Sequence, residues 1–167
     1  VADGPFLAAL IFRLDSSIIY FYTDEYDNYH LEDVMNELIT TILQSPVTAI
    51  IGTVVLTCLF WMAGIFGIFN FAVVVKEMED AALTHPRSCA VATIICQLLG
   101  SALLISNVGG LAWLGAGALG VFTLLSIPLG HPFWKFAEPR KSHEFQIALE
   151  HVTVVGGLVL AAILSVR

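Results

Sequence analysis

Charge is scarce in this sequence. Only 13% of its 167 residues are charged and 57% are hydrophobic, where ordinary soluble domains are about 25% charged. A water-soluble domain of this composition would have to expose large apolar patches, which monomeric soluble proteins avoid. Cations are scarcer still. Seven Lys and Arg stand against fourteen Asp and Glu, for a formal net charge of −7. They are scattered rather than clustered, so nucleic acid is not an expected partner. The sequence also lacks a P-loop, a CxxC and an HExxH, the short motifs that carry phosphate, redox and zinc chemistry. It has no solenoid repeat and no low-complexity tract. There are only three cysteines, Cys58, Cys89 and Cys96. Two turns of helix separate Cys89 from Cys96, about 10 Å, which is too far for a disulfide. The cysteines therefore read as small apolar filler, with a redox pair involving Cys58 as the alternative.

What the sequence has is apolar length. The mean hydropathy is +0.85. Four uncharged or nearly uncharged stretches stand out, and ~20 residues of helix suffice to cross ~30 Å of hydrocarbon. The first runs from Val47 to about Val75, with the crossing itself expected at 47–72. The others are expected at 90–108, 110–127 and 145–166. Asn107, Val108, Gly109 and Gly110 read as a tight turn between the second and third, and Pro128, Gly130 and Pro132 as the end of the third. The expected fold is all-α, a bundle of four transmembrane helices over 47–167, preceded by an N-terminal amphipathic and interfacial segment over 1–46.

That segment differs from the rest. Eight of the fourteen acids precede Leu38. All four tyrosines, Tyr20, Tyr22, Tyr26 and Tyr29, lie among Asp24, Glu25 and Asp27. Tyrosine is enriched at protein interfaces, so these four are candidate partner-docking residues. Leu31, Val34, Met35, Leu38, Ile39 and Ile42 recur at spacings of three and four, which predicts an amphipathic helix over His30–Gln44. The chain starts at Val1. The expectation is an internal start in a longer chain or a removed targeting peptide, the latter suiting organellar import.

Small residues lie along each apolar stretch, and close backbone approach drives helix association in lipid. The expected faces are Thr53, Thr57, Gly64 and Gly67; Cys89, Thr93, Cys96 and Gly100; Gly109, Ala116, Gly117 and Gly120; and Thr153, Gly157 and Ala161. The connectors carry Lys76, Arg87, Lys135, Arg140 and Lys141, which places both on the inner side of the membrane. The first connector, from Lys76 to Arg87, reads as another short surface helix stopped by Pro86.

Polar groups within the spans are few. Asn70, Gln97 and Glu150 are expected to form one buried polar cluster that fixes helix packing, because an ionisable side chain there costs ~2.5–3.5 kcal/mol. Exposure of Glu150 and His151 at headgroup level is the alternative. His131, Trp134 and His151 could contact a quinone, lipid or pigment at an interface. The spacings of twelve and eight among His131, His143 and His151 fit no helical ligand pair, so no metal is expected.

Between residues 55 and 165 the chain resembles the DoxX family of small four-helix membrane proteins. The likeness rests on Gly64-Ile65-Phe66-Gly67-Ile68-Phe69, on Gln97-Leu98-Leu99-Gly100 and on Gly130-His131-Pro132-Phe133-Trp134. It extends to Glu150-His151 followed by Gly156-Gly157. The charged positions of the family pattern are replaced here: Asn70 for a Lys, Gln97 for a Glu, Glu150-His151 for Lys-Asn. The packing glycines and the His-x-Phe-Trp element remain. The resemblance implies either a membrane subunit of a thiosulfate:quinone oxidoreductase or a membrane anchor in a redox-stress complex. With the charged positions replaced, the sequence favours a non-catalytic subunit that anchors other subunits of a respiratory or photosynthetic complex. The bacterial inner membrane, the mitochondrial inner membrane and the thylakoid are the expected sites. A quinone-linked redox subunit is the second reading, and a small transporter or channel the third.

Overall fold

A computed structural model describes residues 31–166 of the chain. Every regular element among them is helical. The chain divides into two compact units, Val1–Thr48 and Ala49–Arg167.

In the first unit, α1 covers Leu31–Gln44. Its apolar stripe, Leu31, Val34, Met35, Leu38, Ile39 and Ile42, is exposed throughout.

The apolar stretch expected as one crossing at 47–72 is three helices: α2 (Pro46–Leu56), α3 (Cys58–Phe69) and α4 (Phe71–Asp80). The break after α2 falls at Thr57. The Thr57 hydroxyl donates to the Thr53 carbonyl at 2.7 Å, a back-bond that loosens the helix ladder and bends it. Across the break, the Trp61 indole donates to the Val54 carbonyl at 3.3 Å. The second break falls at Asn70, whose side-chain amide donates to the Phe66 carbonyl at 3.0 Å. The backbone then turns by 108° into α4. The cause is visible in α4 itself. Val74 is buried, while Lys76, Glu77, Glu79 and Asp80 are exposed, and four charges in one helical turn do not enter hydrocarbon.

The remaining helices are long. They are α5 (Pro86–Ser106), α6 (Ala112–Gly130) and α7 (Arg140–Ser165). Pro86 does not stop the preceding connector. It occupies the first position of α5, where its missing N–H costs nothing and its fixed φ suits the helix. Pro128 lies inside α6, which continues to Gly130. Between α5 and α6 the chain reverses through Asn107 (φ 45°), Gly109 (φ 63°) and Gly110 (φ 72°). Left-handed backbone at three of four positions explains the Asn and the two glycines. The Asn107 side chain then accepts the Ala112 backbone N–H at 3.1 Å, which caps the start of α6.

Helix α6 packs against both α5 and α7, and α5 also packs against α3 and α4. The core of this unit is Phe60, Leu104, Ala112, Ala116, Leu119 and Leu158. Glycines set the approach of the helices. A β-carbon on Gly64 would meet Leu98 at 2.7 Å, one on Gly67 would meet Ile94 at 2.9 Å, and one on Gly157 would meet Leu56 at 2.8 Å. The pairing of Gly64 with Leu98 and Gly67 with Ile94 makes α3 and α5 antiparallel. The buried hydroxyls of Thr57, Ser101 and Thr123 each donate to the carbonyl four residues earlier, so none is stranded in the core.

The outer surface is apolar. Leu59, Met62, Phe69, Leu99, Leu124, Val159 and Leu160 are all at least half exposed, with Phe69 at 81%. Three helices are long and apolar enough to cross a membrane, or up to five if each bent helix pair is one span. The protein is an integral membrane protein with an all-α fold, and four crossings fall within that range.

Candidate functional site

Up-and-down order puts two connectors at one end of the second unit. Helix α5 leaves that end, α6 returns to it and α7 leaves again. The junction 81–85 and the loop 131–139 therefore share an end, and the turn 107–111 lies at the opposite one. The loop is the richest polar feature of the bundle.

It begins at His131, just past α6. The His131 Nδ1 lies 2.9 Å from Glu144 Oε2. The Arg140 Nε donates to the other carboxylate oxygen at 3.2 Å. Glu144 is one turn past Arg140 on α7, so helix geometry delivers the pair. The Glu144 side chain is only 12% exposed, against 28% for His131 and 63% for Arg140. A carboxylate accepts only, so His131 donates through Nδ1 and its Nε2 is left for another partner.

His151 lies two turns further along α7. Its Nδ1 is 2.8 Å from the Ile147 carbonyl. That oxygen also only accepts, so the same tautomer follows and Nε2 is again the uncommitted atom. The two imidazole rings meet with centroids 5.1 Å apart, tilted by 56°. The structure thus brings together two histidines twenty positions apart in the chain, each held by its own partner.

An aromatic layer fixes the loop above them. Residues Phe133–Lys135 form a single 3-10 turn. The Phe133 ring packs edge-on against Trp134 at 5.0 Å and against Phe145 of α7 at 5.1 Å. The Arg140 guanidinium lies 3.8 Å above the Phe136 ring, a cation–π contact. Trp134 itself points outward and is 53% exposed. Nearby, Glu138 accepts from the Ser142 hydroxyl at 2.6 Å and from the Ser142 N–H at 3.2 Å, closing the first turn of α7.

Glu144 is not among the candidate site residues read from the sequence, and Arg140 is read there only as a cation of the connector. The signal was present as an Arg-to-Glu spacing of four in a helix start. What the sequence could not supply was the return of His131 onto that turn.

The three polar residues of the spans are placed differently. Asn70 bonds to its own helix, as described. Gln97 is half-buried and its backbone carbonyl accepts from Ser101. Glu150 is exposed, and its partner is Gln146 at 3.5 Å, the limit of a hydrogen bond. No hydrogen bond joins Asn70, Gln97 and Glu150 among the described residues. The expected single buried cluster is thus not assembled by hydrogen bonds among the described residues: the Asn70 and Glu150 side chains each bond within their own helix. Tyr20, Tyr22, Tyr26 and Tyr29 lie outside the described residues.

Chemically, the loop offers two imidazole Nε2 atoms, a partly buried ion pair and an exposed indole at the mouth of an apolar bundle. Such a set can hydrogen-bond a carbonyl or hydroxyl group, or pass a proton between imidazoles.

Comparison with known protein families gives a match. The family model described as DoxX matches residues 48–132. This span contains the Gly64–Phe69 run, the α5–α6 hairpin and His131. No curated protein and no solved structure matches the chain.

Proposed function

Because the chain belongs to the DoxX family, we propose that it serves as a non-catalytic membrane subunit that anchors or stabilises a larger complex. The observation that carries this reading is α1. The helix lies before residue 48, where the family match begins. Its apolar stripe is exposed at every position from Leu31 to Ile42, with Leu31 at 61%. A contiguous exposed apolar face of that length marks a surface for a protein or a membrane. On this reading the amphipathic helix supplies docking. Respiratory and photosynthetic complexes of bacteria or organelles are the assemblies this reading favours, with membrane lipids and neighbouring subunits as the partners.

The test is a pair of charge insertions, Leu38→Glu and Ile42→Glu, in the full chain. Both variants should remain in the membrane fraction and lose co-migration with their partners on native gels. Co-migration unchanged in both would remove the support for docking through α1.

A second reading rests on the histidine pair. Imidazoles 5.1 Å apart with both Nε2 atoms uncommitted suit the headgroup of a quinone, and Trp134 on the same loop is an exposed aromatic ring. On this reading the protein is a membrane subunit of a quinone-linked redox enzyme. The variants His131→Ala, Trp134→Ala and His151→Ala would then abolish quinone-dependent turnover while assembly survives. Turnover at the wild-type level in all three would exclude it.

A further inference from the structure

Helix α7 presents a polar row on its outer face. Gln146, Glu150 and Thr153 follow one another at spacings of four and three, and all three are exposed. Residues so spaced share one side of a helix. Glu150 lies five residues past Phe145, where the apolar run of α7 begins, or about 7.5 Å along the axis. Its hydrogen bonding is poor. Among the described residues, its one partner is the Gln146 amide at 3.5 Å. A carboxylate has about four acceptor positions, so most of them are unused. The Thr153 hydroxyl turns back to the Leu149 carbonyl at 3.0 Å and does not help. The next position on this side is Gly156, where an added β-carbon would meet nothing within 4 Å.

Lipid tails do not satisfy such a face. Ionisable groups inside membrane spans pair with one another or with other polar groups, because an unpaired charge in hydrocarbon is costly. Among the described residues of this unit, no cation pairs with Glu150. The cations of the neighbouring loop are engaged or lie before the apolar run: Arg140 is held by Glu144 and Phe136, and Lys135 and Lys141 precede Phe145. Thr153 and the bare backbone at Gly156 leave room below Glu150 for another helix to approach closely, as small residues do in membrane interfaces.

We propose that the Gln146–Glu150–Thr153–Gly156 face of α7 is an interface for a partner transmembrane helix that presents a Lys or Arg side chain to Glu150. The sign of the charge selects the partner. A second copy of this chain would offer α7 with the same carboxylate, and like charges repel. The inference rests on the anchoring reading and names one contact through which it operates.

The test uses the full chain in its native membrane. A photoreactive residue replaces Thr153, and in a control replaces Leu124, which is half exposed on α6. In parallel, Glu150→Leu and Glu150→Gln are compared with wild type on native gels, with membrane levels checked by alkaline extraction. Position 153 should cross-link to a membrane segment carrying Lys or Arg, and position 124 to lipid alone. Glu150→Leu should lower the complex-bound share at least tenfold at an unchanged membrane level, with Glu150→Gln intermediate. Cross-links from position 153 to lipid alone or to a second copy would overturn the proposal. So would a Glu150→Leu protein that stays in its complex as wild type does, and the anchoring reading would then stand without this contact. A wild-type protein that migrates alone would overturn both.

Discussion

A β-carbon on Gly115 would stand 2.6 Å from the carbonyl oxygen of Gly100. The same atom would meet the Leu103 β-carbon and the Leu104 nitrogen, each at 2.9 Å. Helices α5 and α6 therefore touch backbone to backbone at this crossing. At Gly64, Gly67 and Gly157 the nearest atoms belong to Leu or Ile side chains, which can turn away. At Gly115 two of the three belong to the main chain, which cannot. Gly115→Ala should destabilise the bundle by about 1–3 kcal/mol through overpacking. Gly117→Ala is the matched control, since its β-carbon would meet nothing within 4 Å. Thermal unfolding in detergent should separate the two variants, and equal midpoints would contradict the crossing.

Leu119 fills the space that Gly100 leaves. It is fully buried, and a β-carbon on Gly100 would reach it at 2.7 Å. Leu119→Ala should cost about 2 kcal/mol or more, because a void forfeits packing contacts in lipid as it does in water. Leu124→Ala changes a half-exposed side chain on the same helix and should shift the unfolding midpoint little.

The carboxylate of Glu144 joins the loop to α7 through both His131 and Arg140. Glu144→Ala leaves the His131 N–H without an acceptor in a partly buried place, at a cost of about 1–3 kcal/mol. Amide hydrogen exchange across Phe133–Phe136 should then accelerate several-fold. Lys141→Ala, at an exposed position of the same turn, should leave that exchange as it was.

Up-and-down packing makes a topological prediction. Single cysteines at Lys135 and at Glu77 should react with an impermeant thiol reagent from the same side of the membrane. A cysteine at Val108 should react from the other. The excess of Lys and Arg on the two connectors predicts that this shared side is the inner one. Labelling of Lys135 and Val108 positions from one side would contradict the order of α5, α6 and α7.

Much of this fold was legible in the sequence, for physical reasons that also mark where the reading failed. Long apolar runs announce spans, and Asn107-Val108-Gly109-Gly110 announced a turn because few residues tolerate left-handed backbone. The breaks at Thr57 and Asn70 were not legible. Neither is a Pro or Gly: the first break comes with a Thr57 hydroxyl that competes for a backbone carbonyl, and the second with the charges of α4, which turn the chain away from hydrocarbon. The packing face of α6 was half legible. Ala116 and Gly120 are buried as expected, but Gly117 is exposed, Gly109 lies in the turn, and Gly115, which makes the closest approach, was not chosen. A helix that is apolar all round gives no stripe from which its rotation can be read. The His131–His151 pairing needed the loop to fold back, which no local spacing encodes. The His-x-Phe-Trp element did mark the segment that makes that return.

An anchoring subunit travels with the assembly that it anchors. Isolation of the native protein in mild detergent, with mass spectrometry of what co-purifies, tests this most directly. As an anchoring subunit, the protein should be recovered stoichiometrically with other subunits of an energy-transducing membrane complex. Recovery of the protein alone, carrying bound quinone and turning it over, would contradict the anchoring role and transfer the function to His131 and His151.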